Sequence, residues 1–195
     1  MIAIIKGCGN NIASIRYALQ RLGQEAIITA QPDIIKNSSH VLLPGVGHAG
    51  FAMDQLNRNC LTEVIKNLTQ PVLGICLGMQ LLFNTSEEGN TAGLGIIPGI
   101  IKAFEKSPNL TIPHMGWNIL QWKTNSDLQK NLNEGDFFYF VHSFKAPITT
   151  YTIATCEYGE NFSAIVKKDN FYGMQFHPER SGNIGEKILK NFFNL

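Results

Sequence analysis

The chain has few cysteines, and they are not arranged as pairs. Cys8, Cys60, Cys76 and Cys156 are scattered, with no Cys-x-x-Cys spacing. That excludes a zinc ribbon and a disulfide framework and points to a reducing compartment. Long apolar runs are also missing: no stretch approaches the roughly 18 residues of a membrane span. The start, Met1-Ile2-Ala3-Ile4-Ile5-Lys6, reads as a strand and is too short for a secretory signal. Charge is sparse, with 16% charged residues and a net charge of +1, and it forms no basic stripe. Nucleic acid is therefore not an expected partner. No Gly-Lys-Ser or Gly-Lys-Thr follows any glycine turn, so a P-loop phosphate site lacks its lysine. Linkers, internal repeats and low-complexity segments are absent as well. The expectation is a cytoplasmic globular protein whose 195 residues form a single domain, 1–195.

What is present alternates between two periodicities. Residues 1–5 form an apolar, β-branched run, and Ile12, Ile15, Ala18, Leu19 and Leu22 then recur at helical spacing until Gly23. Residues 26–29 and 41–43 read as the next strands, and 51–67 as one further helical stretch. This strand–helix alternation predicts a parallel sheet with helices on its faces. Beyond Glu87 glycine and proline become frequent, and short β-like runs follow at 97–104, 117–122, 137–141, 150–158, 163–167 and 171–176. A last helix covers 185–193. The predicted class is α/β: a three-layer, mostly parallel central sheet flanked by helices, with an additional antiparallel or mixed sheet in the C-terminal half.

The chemistry concentrates at Pro71-Val72-Leu73-Gly74-Ile75-Cys76-Leu77-Gly78-Met79-Gln80. Residues 71–75 read as a buried strand, and a helix begins near Leu77. Gly-x-Cys-x-Gly is the cysteine form of a nucleophile elbow. Gly74 and Gly78 leave room for a sharp strand-to-helix turn that side chains would block. The turn lifts the Cys76 sulfur into a cleft, beside helix N–H groups that favour an anion. A second segment, Phe171-Tyr172-Gly173-Met174-Gln175-Phe176-His177-Pro178-Glu179-Arg180, reads as a strand ending at a histidine. His177 and Glu179, two positions apart in extended chain, point to one face. Pro178 favours extended backbone at His177. A neutral imidazole could take the proton of Cys76 and return it to a leaving amine, with a carboxylate setting its tautomer.

Each piece has a plainer reading. A free cysteine is usually a small buried hydrophobe, and a single histidine at a strand end is usually structural. The combination of glycine context and His-Pro-Glu spacing favours catalysis. The stretch Leu42-Leu43-Pro44-Gly45-Val46-Gly47 runs a strand into a glycine turn. Alone it is a βα loop; beside an elbow cysteine, its backbone N–H groups read as half of an oxyanion hole, with Leu77 N–H as the other half. The turn Gly7-Cys8-Gly9-Asn10-Asn11 is either bare or lines a cleft at the end of the first strand.

Taken together, Pro44-Gly45-Val46-Gly47, Gly74-Ile75-Cys76-Leu77-Gly78-Met79-Gln80 and Gln175-Phe176-His177-Pro178-Glu179 resemble the class I glutamine amidotransferases. Pro113-His114-Met115-Gly116-Trp117-Asn118, Tyr139-Phe140-Val141-His142-Ser143-Phe144 and the Arg180-Ser181-Gly182 turn narrow the likeness to the glutaminase subunits of imidazole glycerol phosphate synthases. The resemblance implies hydrolysis of L-glutamine to glutamate and ammonia, with Cys76, His177 and Glu179 catalytic and with Val46 and Leu77 as oxyanion donors. By the same likeness, Gly45, Gly47 and Gln80 hold glutamine. It also implies a heterodimer with a (β/α)8-barrel cyclase that receives the ammonia and makes imidazole glycerol phosphate and an aminoimidazole carboxamide ribotide. Asn10, Asn11, Pro113, His114, Met115, Gly116, Trp117, Asn118, Arg180 and Ser181 are the candidates for that interface. No metal or cofactor is implied. Lys6 stands where the family usually carries an acidic residue. A paralogous glutaminase feeding another synthase, or a non-catalytic regulatory subunit on the same fold, remains open at this point.

Overall fold

A computed structural model of the chain describes residues 1–7, 11–108 and 110–195. Cys8, Gly9 and Asn10, the last a candidate interface residue, lie outside the described residues. The elements run β1 (Ile2–Ile5), α1 (Ile12–Arg21), β2 (Ala26–Thr29), α2 (Pro32–Lys36), β3 (His40–Gly45), α3 (Ala49–Arg58), α4 (Leu61–Lys66), β4 (Val72–Cys76) and α5 (Leu77–Gln80). The second part continues with β5 (Phe83–Ser86), β6 (Thr91–Ala92), β7 (Ile97–Ala103), β8 (His114–Ile119), β9 (Gln121–Trp122), β10 (Phe137–His142) and β11 (Phe144–Lys145). It ends with β12 (Thr152–Tyr158), β13 (Glu160–Lys168), β14 (Phe171–Met174) and α6 (Gly182–Phe193).

The main sheet has eight strands in the order β2-β1-β3-β4-β14-β13-β12-β9. The pairs from β2 through β14 are parallel, and those from β14 to β9 are antiparallel. Much of the expected antiparallel region thus lies at the edge of the parallel core and makes one mixed sheet with it. Two smaller sheets, β10-β8 and β11-β7-β5-β6, complete the C-terminal part.

The three layers follow from side-chain alternation. On β1, Ile2 and Ile4 join one apolar cluster with Ile15 and Leu19 of α1 and Ile188, Leu189 and Phe192 of α6. Ala3 and Ile5, one position out of phase, join the opposite cluster with Ala52, Met53 and Leu56 of α3 and Leu61 and Ile65 of α4. A strand buried on both faces has no polar face, which is why β1, β3 and β4 read as continuous apolar runs.

The single helical stretch expected over 51–67 is two helices. Cys60 adopts φ 55°, in the left-handed region, and breaks the helix between α3 and α4. Its N–H bonds the carbonyl of Asn57, and the Asn57 side chain accepts the Thr62 hydroxyl at 2.6 Å. No glycine or proline marks this break, so periodicity alone runs through it. The elbow helix α5 is only one turn long before the chain turns into β5.

Candidate active site

Three neighbouring parallel strands deliver the site. In register, Gly45 of β3 faces Cys76 of β4, and Ile75 of β4 faces Met174 of β14. The chain beyond Met174 thus runs beside Cys76 at the carboxyl ends of the strands, where open α/β sheets place ligands. Residues more than ninety positions apart in sequence meet there.

Cys76 itself carries the turn, with φ 53° and ψ −111°, a conformation that costs a side-chain-bearing residue about 1–3 kcal/mol. The flanking glycines serve close approach. A Cβ on Gly74 would stand 2.7 Å from Met79 N, and one on Gly78 would collide with the Leu43 carbonyl. Gly45 is equally confined, with Gly78 N at 2.7 Å from its own would-be Cβ. The elbow and the Gly45 turn therefore pack backbone against backbone.

The Cys76 sulfur lies 3.7 Å from the Val141 carbonyl and 3.7 Å from Gln175 Nε2. His177 Nδ1 is 2.7 Å from Glu179 Oε1. A carboxylate can only accept, so Nδ1 carries the hydrogen and Nε2 is left for the cleft. His177 Nε2 and Glu179 Oε2 are buried and have no protein partner. Burial alone would pull the His177 pKa down. The neighbouring Cys76, together with the hydrogen bond and charge of Glu179, outweighs it and raises the pKa to about 10. The histidine is fixed through its backbone too. Its N–H donates to Tyr139 O at 2.8 Å, and Ser181 Oγ donates to its carbonyl at 2.7 Å.

Val46, Gly47, Cys76, Leu77, Gln80 and His177 line one cleft of about 320 Å³, closed on its other side by Glu88, Pro113 and the segment Val141–Phe144. Leu77 opens α5, so its N–H has no partner within the helix. Gln80 Nε2 donates to Phe144 O at 3.0 Å and to Gln175 Oε1 at 2.9 Å. Behind Phe144, His142 Nδ1 donates to the same carbonyl at 2.7 Å, and its Nε2 lies 3.0 Å from His114 Nδ1. Burial lowers the pKa of His142 to about 3 and that of His114 to about 4. Both rings are therefore neutral near neutral pH.

Several interface candidates turn inward. Asn11 is buried, and its side-chain amide donates to Glu179 Oε1 and stands 3.3 Å from His177 Nδ1. His114 stacks between Phe140 and Tyr158 at 4.8 Å and 4.0 Å. Ser181 is buried beneath His177, where its hydroxyl also accepts the Tyr139 N–H. These three make internal contacts because each has a polar partner inside that solvent would otherwise have to supply. Arg180, Met115 and Trp117 are exposed, whereas Pro113, Gly116 and Asn118 are half-buried, with Pro113 at the cleft. Glu88 and Gln175 have no assigned role in the sequence, Asn11 is there only an interface candidate, and 141–144 is there only part of a motif. Gln175 was at least inside a recognised motif; Glu88 sits in no motif that would mark it.

The model of the family described as glutamine amidotransferase class-I matches residues 7–195. The chain belongs to the class I glutamine amidotransferases. Within that family, it is 50% identical over 195 residues to the imidazole glycerol phosphate synthase subunit HisH 2 of Legionella pneumophila, covering 100% of this chain and 98% of that protein. The subunit HisH of Bacteroides thetaiotaomicron is 49% identical, at 100% and 99% coverage. Among solved structures, PurLQS from Thermotoga maritima superimposes with a TM-score of 0.70 at 19% identity, covering 99% of this chain and 97% of that one, which is a likeness of fold. As an amidotransferase the chain is an enzyme of glutamine chemistry. Among the described residues, no cluster of His, Cys, Asp and Glu could hold a metal ion, and no helix is long and apolar enough to cross a membrane.

Proposed function

We propose that the chain is the glutaminase subunit of an imidazole glycerol phosphate synthase, acting as one unit over residues 1–195 with Cys76, His177 and Glu179 as its triad. The observation that carries the chemistry is His177. Its Nδ1–H is held by Glu179, and its unpartnered Nε2 shares the cleft with the sulfur of a turn-borne cysteine.

The reaction follows from these positions. The Cys76 proton already rests on His177, whose raised pKa keeps the imidazolium, and the sulfur attacks the carboxamide carbon of glutamine as thiolate. The carbonyl electron pair moves onto oxygen, where the N–H groups of Val46 and Leu77 receive it. Collapse of the tetrahedral intermediate breaks the C–N bond, and ammonia leaves with the proton from His177. Water then attacks the thioester with His177 as base, and a second collapse expels the Cys76 thiolate and frees glutamate. Glu179 remains ionised and stabilises the imidazolium. Gln80 spends both amide hydrogens on Phe144 and Gln175, so its carbonyl oxygen is the end available to a donor on the substrate. Glu88, the one carboxylate lining the cleft, suits the substrate α-ammonium. Gly47 lines the cleft, whereas Gly45 lies behind it and lets the turn press against the elbow backbone.

The partner in this reading is a (β/α)8-barrel cyclase in the cytoplasm, which receives the ammonia. Support comes from near-50% identity along the whole chain to subunits of that synthase. Exposed Met115, Trp117 and Phe137 on the β8–β10 ribbon offer an apolar face for it. The deciding experiment measures glutamate release from L-glutamine by the subunit alone and with the cyclase and its nucleotide ligand. Strong stimulation by the liganded cyclase is expected. Activity without stimulation would point to another synthase, and no activity in either state would favour a regulatory subunit.

A further inference from the structure

We propose that Gln175 is a positioning residue for this reaction, its side-chain amide donating to the Cys76 sulfur and supporting negative charge there. The inference rests on the reading of Cys76 as the nucleophile. Gln175 follows β14, is fully buried, and places Nε2 3.7 Å from Cys76 Sγ.

Which end of a buried amide faces the sulfur must be decided by its hydrogen bonds, not its shape. Here one main-chain carbonyl decides it. Phe144 O can only accept, so Gln80 must turn its NH2 toward it. The second hydrogen of that NH2 points at Gln175, whose facing atom must then be the oxygen. The NH2 of Gln175 is left to the sulfur. His142 donates to the same Phe144 carbonyl and accepts from His114, so the anchor is held from behind by two neutral rings. No member of this chain has a proton to gain or lose in the reaction.

The sulfur carries negative charge at two moments: before attack, while the proton rests on His177, and when the thiolate departs from the second tetrahedral intermediate. A fixed N–H donor lowers the energy of both. It lies apart from the carbonyl oxygen of the substrate, which is the task of Val46 and Leu77. Gln175 moves no proton and breaks no bond; it acts through Cys76.

The test compares the parent chain with Gln175→Met, which keeps length but removes the donor, and the isosteric Gln175→Glu. Each is assayed in complex with the cyclase for kcat and KM, and alone for alkylation of Cys76 by iodoacetamide, a probe that does not need the glutamine site. Exposed Cys60 is the internal reference in the same peptide map. Loss of a hydrogen bond to a charged sulfur predicts roughly 10-fold slower alkylation of Cys76 and a roughly 10-fold lower kcat, with KM changed by less than about threefold. Unchanged alkylation and kcat overturn the proposal. So does a lower melting temperature with equal or faster alkylation, which is the mark of a residue that merely fills the core. Where Gln175→Met does not fold, Gln175→Glu decides on the same readouts. If the parent releases no glutamate, the functional reading fails, while the alkylation rates still settle the contact to sulfur.

Discussion

Two histidines border the same cleft and are driven in opposite directions. His177 is raised to about 10, and His142 is lowered to about 3. Burial pushes both toward the neutral form, so burial does not make the difference. His177 faces a thiol and a carboxylate; His142 faces a main-chain carbonyl and another neutral ring. One corner can store a proton and the other cannot. The cleft thus pairs a proton carrier with a fixed, uncharged scaffold, and which is which depends on the cysteine and the carboxylate that only His177 faces.

Substitutions in the two corners should therefore part ways. Cys76→Ala and His177→Asn are expected to lower glutamine-dependent synthesis by at least about 10⁴-fold, while synthesis from ammonium salts with the cyclase persists. Loss of both activities would break the two-site picture. Glu179→Gln should cost roughly 10- to 100-fold less than either, since it orients and does not react. It should also move the high-pH limb of the activity profile. In the parent, His177 keeps its proton until pH rises through about 10, and without the carboxylate that limb falls to lower pH. A limb that stays in place would remove Glu179 from its role. His142→Asn should lower kcat/KM by less than about 10-fold, because no proton passes through it; a loss equal to that of His177→Asn would erase the contrast.

The smallest effect is on stability. His142 and His114 have folded pKa values below their ordinary 6.5, so the unfolded chain binds more protons between those values. Their contribution is complete above pH 6.5 and is lost as pH falls toward 4 and then 3. His177 has the opposite sign: its contribution is complete below 6.5 and is lost as pH rises through about 10. Urea midpoints taken from pH 7 to 4 should fall less steeply in His142→Asn than in the parent. Equal slopes would mean that the buried pair is not what acid attacks.

The sequence was most informative where one physical demand acts at close range. The run at β1 and the glycines around Cys76 each express a local requirement and stand where the sequence puts them; His177 and Glu179 do meet, but the strand ends at Met174 and a 3-10 turn over Pro178–Arg180, not extended chain, brings them together. Asn11, His114 and Ser181 are interface candidates by resemblance alone, and a resemblance of motifs does not tell which polar side chains turn inward. Their partners—Glu179, His142 and the His177 carbonyl—lie between 4 and 168 positions away, and only the folded chain reveals them. The Cys60 break escaped for a related reason, since left-handed backbone there is held by Asn57 and Thr62 with no glycine to announce it. Glu88 reaches the cleft through a 3-10 turn that no periodicity marks.

Cys76 holds left-handed backbone that only glycine adopts freely. The residue best suited to that bend is therefore the one residue that would leave the enzyme without a nucleophile. A population of variants sorted for heat resistance alone should drift toward Gly at position 76, gaining up to about 1–3 kcal/mol as the chemistry disappears. Sorting for ammonia production should return cysteine each time. Position 76 is thus where selection for durability and selection for turnover pull against each other within a single residue.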